Sequence, residues 1–342
     1  MTTLATLLRR QSLVRFAYSP RAAVVFSAVI LLITFLDSFI DAPDYIFSPY
    51  FKHIIFVSLT YSIVTLSLNF VSGYVGQTSL GHAAFFGLGG YVSALLTQLY
   101  HVPYWPAFLA AGVVAALVGI PLGAPALRVK GPFLVVVTYA CGEVFRFIAL
   151  NLEVTGGPAG LPGLVTPSIA GVSFTDVGAT GKELFIVTAL VFALALAFFM
   201  SRLEDSRIGH AFAAIREDEI AAAAMGINTA YYKLLAFCLG AFFAGLAGSL
   251  FVHYLSFVSP DMLSSTESIM MFTMVVVGGA RSIPGSFLGA FLLTFIPEGL
   301  RYFKDFVHLP FDPWLVFFGF VLMVMMRVRP QGILGADTVF RR

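Results

Sequence analysis

Charge is scarce in this chain. Of 342 residues only 38 are Asp, Glu, Lys or Arg, 11% of the total, against roughly 25% in a soluble domain. No stretch is polar enough to form a soluble domain, which excludes a soluble enzyme, a disordered chain and a nucleic-acid-binding protein. Cysteine is scarcer still. Cys141 and Cys238 both lie inside apolar runs, which argues against a disulfide scaffold or a cysteine metal site. A phosphate-cradling loop is missing too: no G-x-x-x-x-G-K-[ST] occurs, and the one Gly-Lys pair, Gly181-Lys182, is followed by Glu183. The chain therefore does not bind ATP through such a loop. Arg9, Arg10, Arg15 and Arg21 precede the first apolar run, but no A-x-A cleavage site follows it, so that run is expected to be retained as a span.

What the chain has in place of charge is hydrocarbon. Hydrophobic residues make up 59% of it and the mean hydropathy is +0.91. One bilayer-crossing helix uses about 20 apolar residues, so the composition suffices for about ten. Apolar runs place them near 22–40, 51–71, 81–100, 105–127, 132–151, 183–200, 232–256, 265–280, 284–300 and 312–328. The expected fold is all-α, a polytopic integral membrane protein forming a single transmembrane domain over 1–342. Its longest inside loop is 201–231, and its longest outside loop is 152–182. With ten spans and a cytoplasmic N-terminus, 15 of the 20 basic residues fall inside. Only Lys52, Lys182, Arg301 and Lys304 fall outside, and Arg146 alone lies within a span. This is the bias that the positive-inside rule demands, and it places both termini in the cytoplasm.

Three stretches are too polar or too irregular for plain lipid-facing helix. The first, Gly73 to Tyr91, joins the second and third spans and mixes glycines with Gln77, Thr78, Ser79 and His82. A broken or re-entrant segment here would present main-chain groups and His82 to a solute; a tight inside turn before a Gly-rich packing face fits as well. The second, Gly209 to Asn228 in the inside loop, is Ala-rich and has a natural stop at Gly226. It reads as a short helix with Phe212, Ile215 and Ala222 on one face. Arg216, Glu217, Asp218 and Glu219 form a charged band at its middle. Such a helix suits docking to a soluble partner, because the five acidic residues in the loop disfavour an anionic bilayer surface. The third, the outside loop 152–182, is turn-rich and nearly uncharged. It reads equally as a lid, a docking surface or a connector.

Within the spans, Glu143 and Arg146 lie three residues apart on one helix face. Neither is tolerable alone in lipid, so mutual pairing is expected, as a structural bridge or as a substrate-facing or proton-relay pair. Glu267 and Glu298, near helix ends, are expected to reach water. Gly119/Gly123, Ala244/Gly248 and Gly285/Gly289 have the spacing of close helix contacts.

Taken in order, four motifs resemble one family. They are the run Gly73–Tyr91; Gly131-Pro132-Phe133-Leu134 with Glu143, Arg146 and Thr155-Gly156-Gly157-Pro158; the loop from Arg207-Ile208-Gly209 to Gly226-Ile227-Asn228; and Gly278-Gly279 with Pro284-Gly285 and Gly289-Ala290. Together they resemble the bacterial branched-chain amino-acid ABC permeases of the LivM-like type over roughly residues 50–330. The resemblance implies an importer subunit of the inner membrane, itself not an enzyme. Its partners would be a second homologous permease, two cytoplasmic ATPases that bind ATP and Mg, and a periplasmic or lipid-anchored binding protein. No cofactor and no metal is implied in this chain, and its only other partner is membrane lipid. The resemblance assigns Gln77, Thr78, Ser79, Gly81 and His82 to the permeation region, beside Glu143 and Arg146. It assigns ATPase coupling to Arg207, Gly209, Phe212, Ile215, Arg216, Glu217, Asp218, Glu219, Ala222 and Gly226. Glu219, Ala222 and Gly226 carry an EAA-like pattern, though not in the strict order. Ala280-Arg281-Ser282 departs from the family's less basic turn. Two other readings remain open: a permease of the same family for urea or short amides, and a self-sufficient transporter coupling protons through Glu143 and His82.

Overall fold

The computed structural model describes residues 49–128, 132–169, 172–174, 182–307, 314–329 and 331–334. Within them the helices are α1 (Pro49–Asn69), α2 (His82–Gln98), α3 (Tyr104–Arg128), α4 (Pro132–Asn151), α5 (Glu183–Glu204), α6 (Arg207–Glu217), α7 (Glu219–Ala224), α8 (Thr229–Leu255), α9 (Ser265–Gly278), α10 (Ile283–Val307) and α11 (Trp314–Val328). Nine of the ten expected spans fall on α1–α5 and α8–α11. The run at 22–40, with its preceding arginines, lies outside the described residues. Among the described residues, five segments are long and apolar enough to cross a bilayer: Pro49–Tyr74, Tyr104–Gly123, Phe133–Asn151, Glu183–Glu204 and Thr229–Leu255. Three more apolar helical stretches, Ser265–Gly278, Ile283–Glu298 and Val316–Val328, are shorter.

At the centre stands α1. Ser58, Thr60, Ser62, Thr65 and Ser67 on it are all fully buried, and each hydroxyl donates to a carbonyl three or four residues earlier, at 2.6 to 3.0 Å. The helix thus satisfies its own polar side chains, which lets a hydroxyl-rich strip occupy the core without an unpaired-group penalty. Around it the spans pack by close approach of small residues. A Cβ added to Gly248 on α8 would lie 1.8 Å from the Phe86 carbonyl oxygen of α2, and one on Gly89 of α2 would lie 2.2 Å from that of Gly245. The expected Gly119/Gly123 and Gly285/Gly289 contacts are also present: Gly119 faces Ala241, Gly123 faces Leu234, Gly285 faces the main chain of Gly278, and Gly289 faces that of Met274.

The bundle has two distinct ends, because α8 is 27 residues long and so spans about 40 Å. Beyond its C-terminus lies β4 (Phe257–Val258), paired antiparallel with β1 (Leu161–Pro162) from the loop after α4. A second small hairpin, β2 (Ser168–Ile169) with β3 (Val172–Ser173), sits in the same loop. At this strand end Lys52 Nζ and Glu183 Oε1 form a buried ion pair at 2.8 Å, with side chains 3% and 0% exposed. Preceding the N-terminus of α8 lie α6 and α7, which make up the other end. The chain after α11 returns there, with Ile333 and Leu334 N–H donating to the Val277 and Gly278 carbonyls at 2.9 Å.

The sequence suggested one short helix in the inside loop, and the structure has two. Asp218 is extended (φ −156°, ψ 109°) and its Oδ1 accepts from the N–H groups of Ile220 and Ala221 at 2.8 and 3.0 Å. The charged band therefore includes an N-cap, which ends α6 and starts α7.

Candidate functional site

The Gly-rich segment begins where α1 loses α-helical geometry. Phe70–Tyr74 is one π-helical turn, a feature common at functional sites. Residues 75–81 then form no helix before α2 begins at His82. His82 is buried, with Nε2 2.8 Å from Ser67 Oγ on α1 and its ring against Gly240 of α8. The chain thus folds back to the level of Ser67, before α1 has ended. Gly81 packs on the Thr138 carbonyl of α4, and Leu80 N–H donates to Thr138 Oγ1 at 3.1 Å. Ser79 is buried, and its Oγ accepts from Gly81 N–H at 3.5 Å. Thr78 is half-buried. Gln77 is buried, its main chain is fixed by Val71 O and Ser72 Oγ, and among the described residues its Oε1 has no hydrogen-bond partner.

A second helix also starts partway through the bundle. After β4 a 3-10 turn, Pro260–Leu263, brings Leu263 against Gly87 of α2, and α9 begins two residues later. Its first turn collects polar partners from three helices. Glu143 Oε1 on α4 accepts from Ser265 N–H and Oγ at 3.2 and 2.7 Å. Ser268 Oγ accepts from Ala83 N–H of α2 at 3.1 Å. Glu267 accepts from the Tyr61 hydroxyl, midway along Pro49–Tyr74, at 2.9 Å. Glu267 therefore does not simply reach water, and Glu298 is bonded by Tyr50. The expected Glu143–Arg146 pair is present at 3.6 Å, and Arg146 also lies 3.5 Å from Asp261. Glu143 and Arg146 side chains are 20% and 30% exposed. His82 and Glu143 have separate partners, Ser67 and Ser265, and the structure shows no hydrogen bond joining them among the described residues.

The residues expected to couple to an ATPase divide by face. Arg207, Glu217 and Asp218 are exposed, as are Ile220 (74%) and Met225 (83%). Gly226, exposed at φ +85°, ends the segment. Turned inward are Phe212, Ile215 and Ala222, buried in the same cluster as Tyr74 and Val75. Gly209 is buried against Leu203 and Glu204 main chain. Glu219 also turns inward, pairing with the buried Lys233 of α8 at 2.7 Å. An open cleft lined by Asp205, Arg207, His210, Ala211, Ile227 and Tyr232 lies beside α6.

Sequence reasoning passed over several members of this arrangement. Asn69 is fully buried; its Oδ1 accepts from Arg281 N–H at 2.8 Å and its Nδ2 donates to Ser286 Oγ at 2.9 Å. This gives Arg281 a structural place, as a residue at φ 63° whose turn is held by α1. The available signal was an Asn inside an otherwise apolar run just before Gly73. Ser67, Tyr61 and Lys233 had no local signal, since their partners lie far along the chain.

Helices that cross the bundle, two others that begin inside it, and an amphipathic helix at one end describe a multi-pass membrane protein. Residues 50–326 match the family model described as branched-chain amino acid transport system / permease component, and the chain belongs to that family. It is 35% identical over 298 residues to the high-affinity branched-chain amino acid transport system permease protein LivM of Escherichia coli (strain K12), covering 81% of this chain and 68% of that one. Similarity extends to BraD of Pseudomonas aeruginosa, a permease protein of the same description, at 29% over 299 residues (83% and 94%). It extends also to LivH of Escherichia coli (strain K12), at 27% over 294 residues (82% and 92%). No solved structure matches.

Proposed function

We propose that this chain is the membrane-spanning subunit of an ATP-driven importer for branched-chain amino acids in a bacterial inner membrane. The family match over 50–326 carries the reading. The chain crosses the membrane ten times, with both termini and the α6 end in the cytoplasm. A second, homologous permease completes the path, two ATPases supply bound ATP and Mg, and a periplasmic or lipid-anchored binding protein delivers the solute. The re-entrant stretch with Gln77, Thr78, Ser79, Gly81 and His82, together with Glu143 and Arg146, lines the path. Two helices starting inside the bundle are the arrangement by which transporters offer main-chain groups to a solute at membrane depth. The ATPases dock on Arg207, Glu217, Asp218, Ile220 and Met225, whose apolar and charged groups suit a groove on a soluble partner.

The test is uptake by proteoliposomes holding the complex purified with its native partners. Labelled leucine, isoleucine or valine is expected to accumulate only with internal ATP and external binding protein. Preferential accumulation of urea or acetamide would reassign the substrate. Uptake by this chain alone under a pH gradient would replace the ATP-driven reading with proton coupling.

A further inference from the structure

Arg216 stands in the charged band expected to meet an ATPase, yet its stem points into the protein. Its Cγ, Cβ and Cδ lie 2.9, 3.6 and 3.7 Å from the position a Cβ on Gly76 would take. Gly76 has φ +76°, a conformation that glycine adopts readily and side-chain-bearing residues rarely do, so the Arg216 stem meets bare main chain there. A second contact holds the root of the same helix. Glu204, the last residue of α5, accepts a hydrogen bond from the Tyr74 hydroxyl at 3.3 Å and lies 3.9 Å from Arg281 Nε. The start of the Gly-rich segment is therefore touched at two points, Tyr74 by Glu204 at the end of α5 and Gly76 by Arg216 near the tip of α6. Between these points Phe212 and Ile215 are buried with Tyr74 and Val75, which removes slack. Through Arg281 and Asn69 the grip reaches the α9–α10 turn as well.

We infer that Arg216 and Glu204 are positioning residues that impose movement of α6–α7 on residues 74–81, Arg216 acting through its aliphatic stem and not through its charge. The inference rests on the reading of α6–α7 as the ATPase-docking element. It divides the charged band in two, with Glu217 and Asp218 facing outward to the partner and Arg216 facing inward to the segment being moved.

The experiment uses the whole complex, purified with its native ATPases, second permease and binding protein, in proteoliposomes. It reads ATP hydrolysed per leucine accumulated and the amount of ATPase retained. Arg216→Ala is expected to keep its ATPases but to raise ATP per leucine by about tenfold. Arg216→Met and Arg216→Lys, which keep the stem, are expected to stay within about twofold of the unsubstituted complex. Gly76→Ala, which places a methyl against an intact Arg216, is expected to uncouple as Arg216→Ala does. If Arg216→Ala is not recovered folded, the contrast between Gly76→Ala and Arg216→Met carries the test. An unchanged ratio in Arg216→Ala or Gly76→Ala would overturn the inference. So would failure of Arg216→Met beside a working Arg216→Lys, which would assign the effect to charge, or loss of the ATPases from Arg216→Ala, which would make Arg216 a docking residue. Absence of ATPases from the unsubstituted complex would instead remove the docking reading itself.

Discussion

The strand end of the bundle and the end that carries α6 and α7 are held together in different ways. At the strand end the ties are short and many run from a side chain to main chain. Gln98 Nε2 donates to Pro162 O at 2.8 Å, Trp105 Nε1 to Ser168 O at 3.0 Å, and His253 Nδ1 lies 2.6 Å from Val165 O. The buried Lys52–Glu183 pair closes that end between α1 and α5. At the other end short ties, Lys233–Glu219 at 2.7 Å and Ile333 N–H to Val277 O at 2.9 Å, stand beside long side-chain contacts around a stretch with no helix, Tyr74–Glu204 at 3.3 Å and Arg281–Glu204 at 3.9 Å. Short bonds into main chain resist rearrangement. Long contacts between side chains can be remade, and this suits the end proposed to dock a moving partner.

The contrast can be broken or sharpened by substitution. The largest effect is expected for Lys52→Met, which takes its cationic partner from the fully buried Glu183 carboxylate and should cost about 3–5 kcal/mol. Unfolding in detergent by heat or SDS would read it. Lys52→Met with Glu183→Leu should recover most of the loss, and a double variant as weak as the single would mean that packing, not the stranded charge, is the cause. Next comes Gly248→Ala. A methyl 1.8 Å from the Phe86 carbonyl must push α8 off α2, at about 1–3 kcal/mol; the same unfolding measurement would show it, and a neutral result would deny that the crossing is so close. Smaller is Asp218→Ala, which removes the cap of α7 and should cost about 1 kcal/mol. Proteolysis within 207–226 should quicken while the global transition barely moves. Smallest is Glu204→Gln, expected to change stability by about 0–1 kcal/mol because the pair it belongs to is long and partly exposed. A large loss there would mean that the two ends are braced alike.

How much of this was legible beforehand follows from the range of each interaction. The spans were readable because a membrane helix needs one unbroken apolar run, and nine of them start within three residues of the expected places. The close contacts of Gly119, Gly123, Gly248 and Gly285 were readable from four-residue spacing. Other features had no local trace. Lys52 and Glu183 are 131 residues apart, and Asn69 and Arg281 are 212 apart, so nothing near either residue names its partner. The π-turn at 70–74 carries Gly73 against Asn69 and the main chain of the distant Arg281, a contact with no trace in the local sequence. The break at Asp218 was readable in principle, as an Asp followed by Glu is a good helix start; the alanine-rich context hid it. Arg216 shows the limit most clearly. Its position in a charged band suggested an outward face, and only the fold shows its stem turned toward Gly76.

The glycines at the helix crossings have a consequence for how this sequence can drift. Gly112, Gly119 and Gly123 on α3 face side chains of α8, namely Leu246, Ala241 and Leu234. A larger residue there can be matched by a smaller one opposite, so those pairs are free to vary together. Gly89, Gly248, Gly278 and Gly289 face carbonyl oxygens and main-chain carbons. No second substitution shortens a backbone, so a change at these four has no repair elsewhere in the chain. Pairwise covariation among relatives should therefore trace Gly112, Gly119 and Gly123 with their partners on α8 and stay silent at Gly89, Gly248, Gly278 and Gly289.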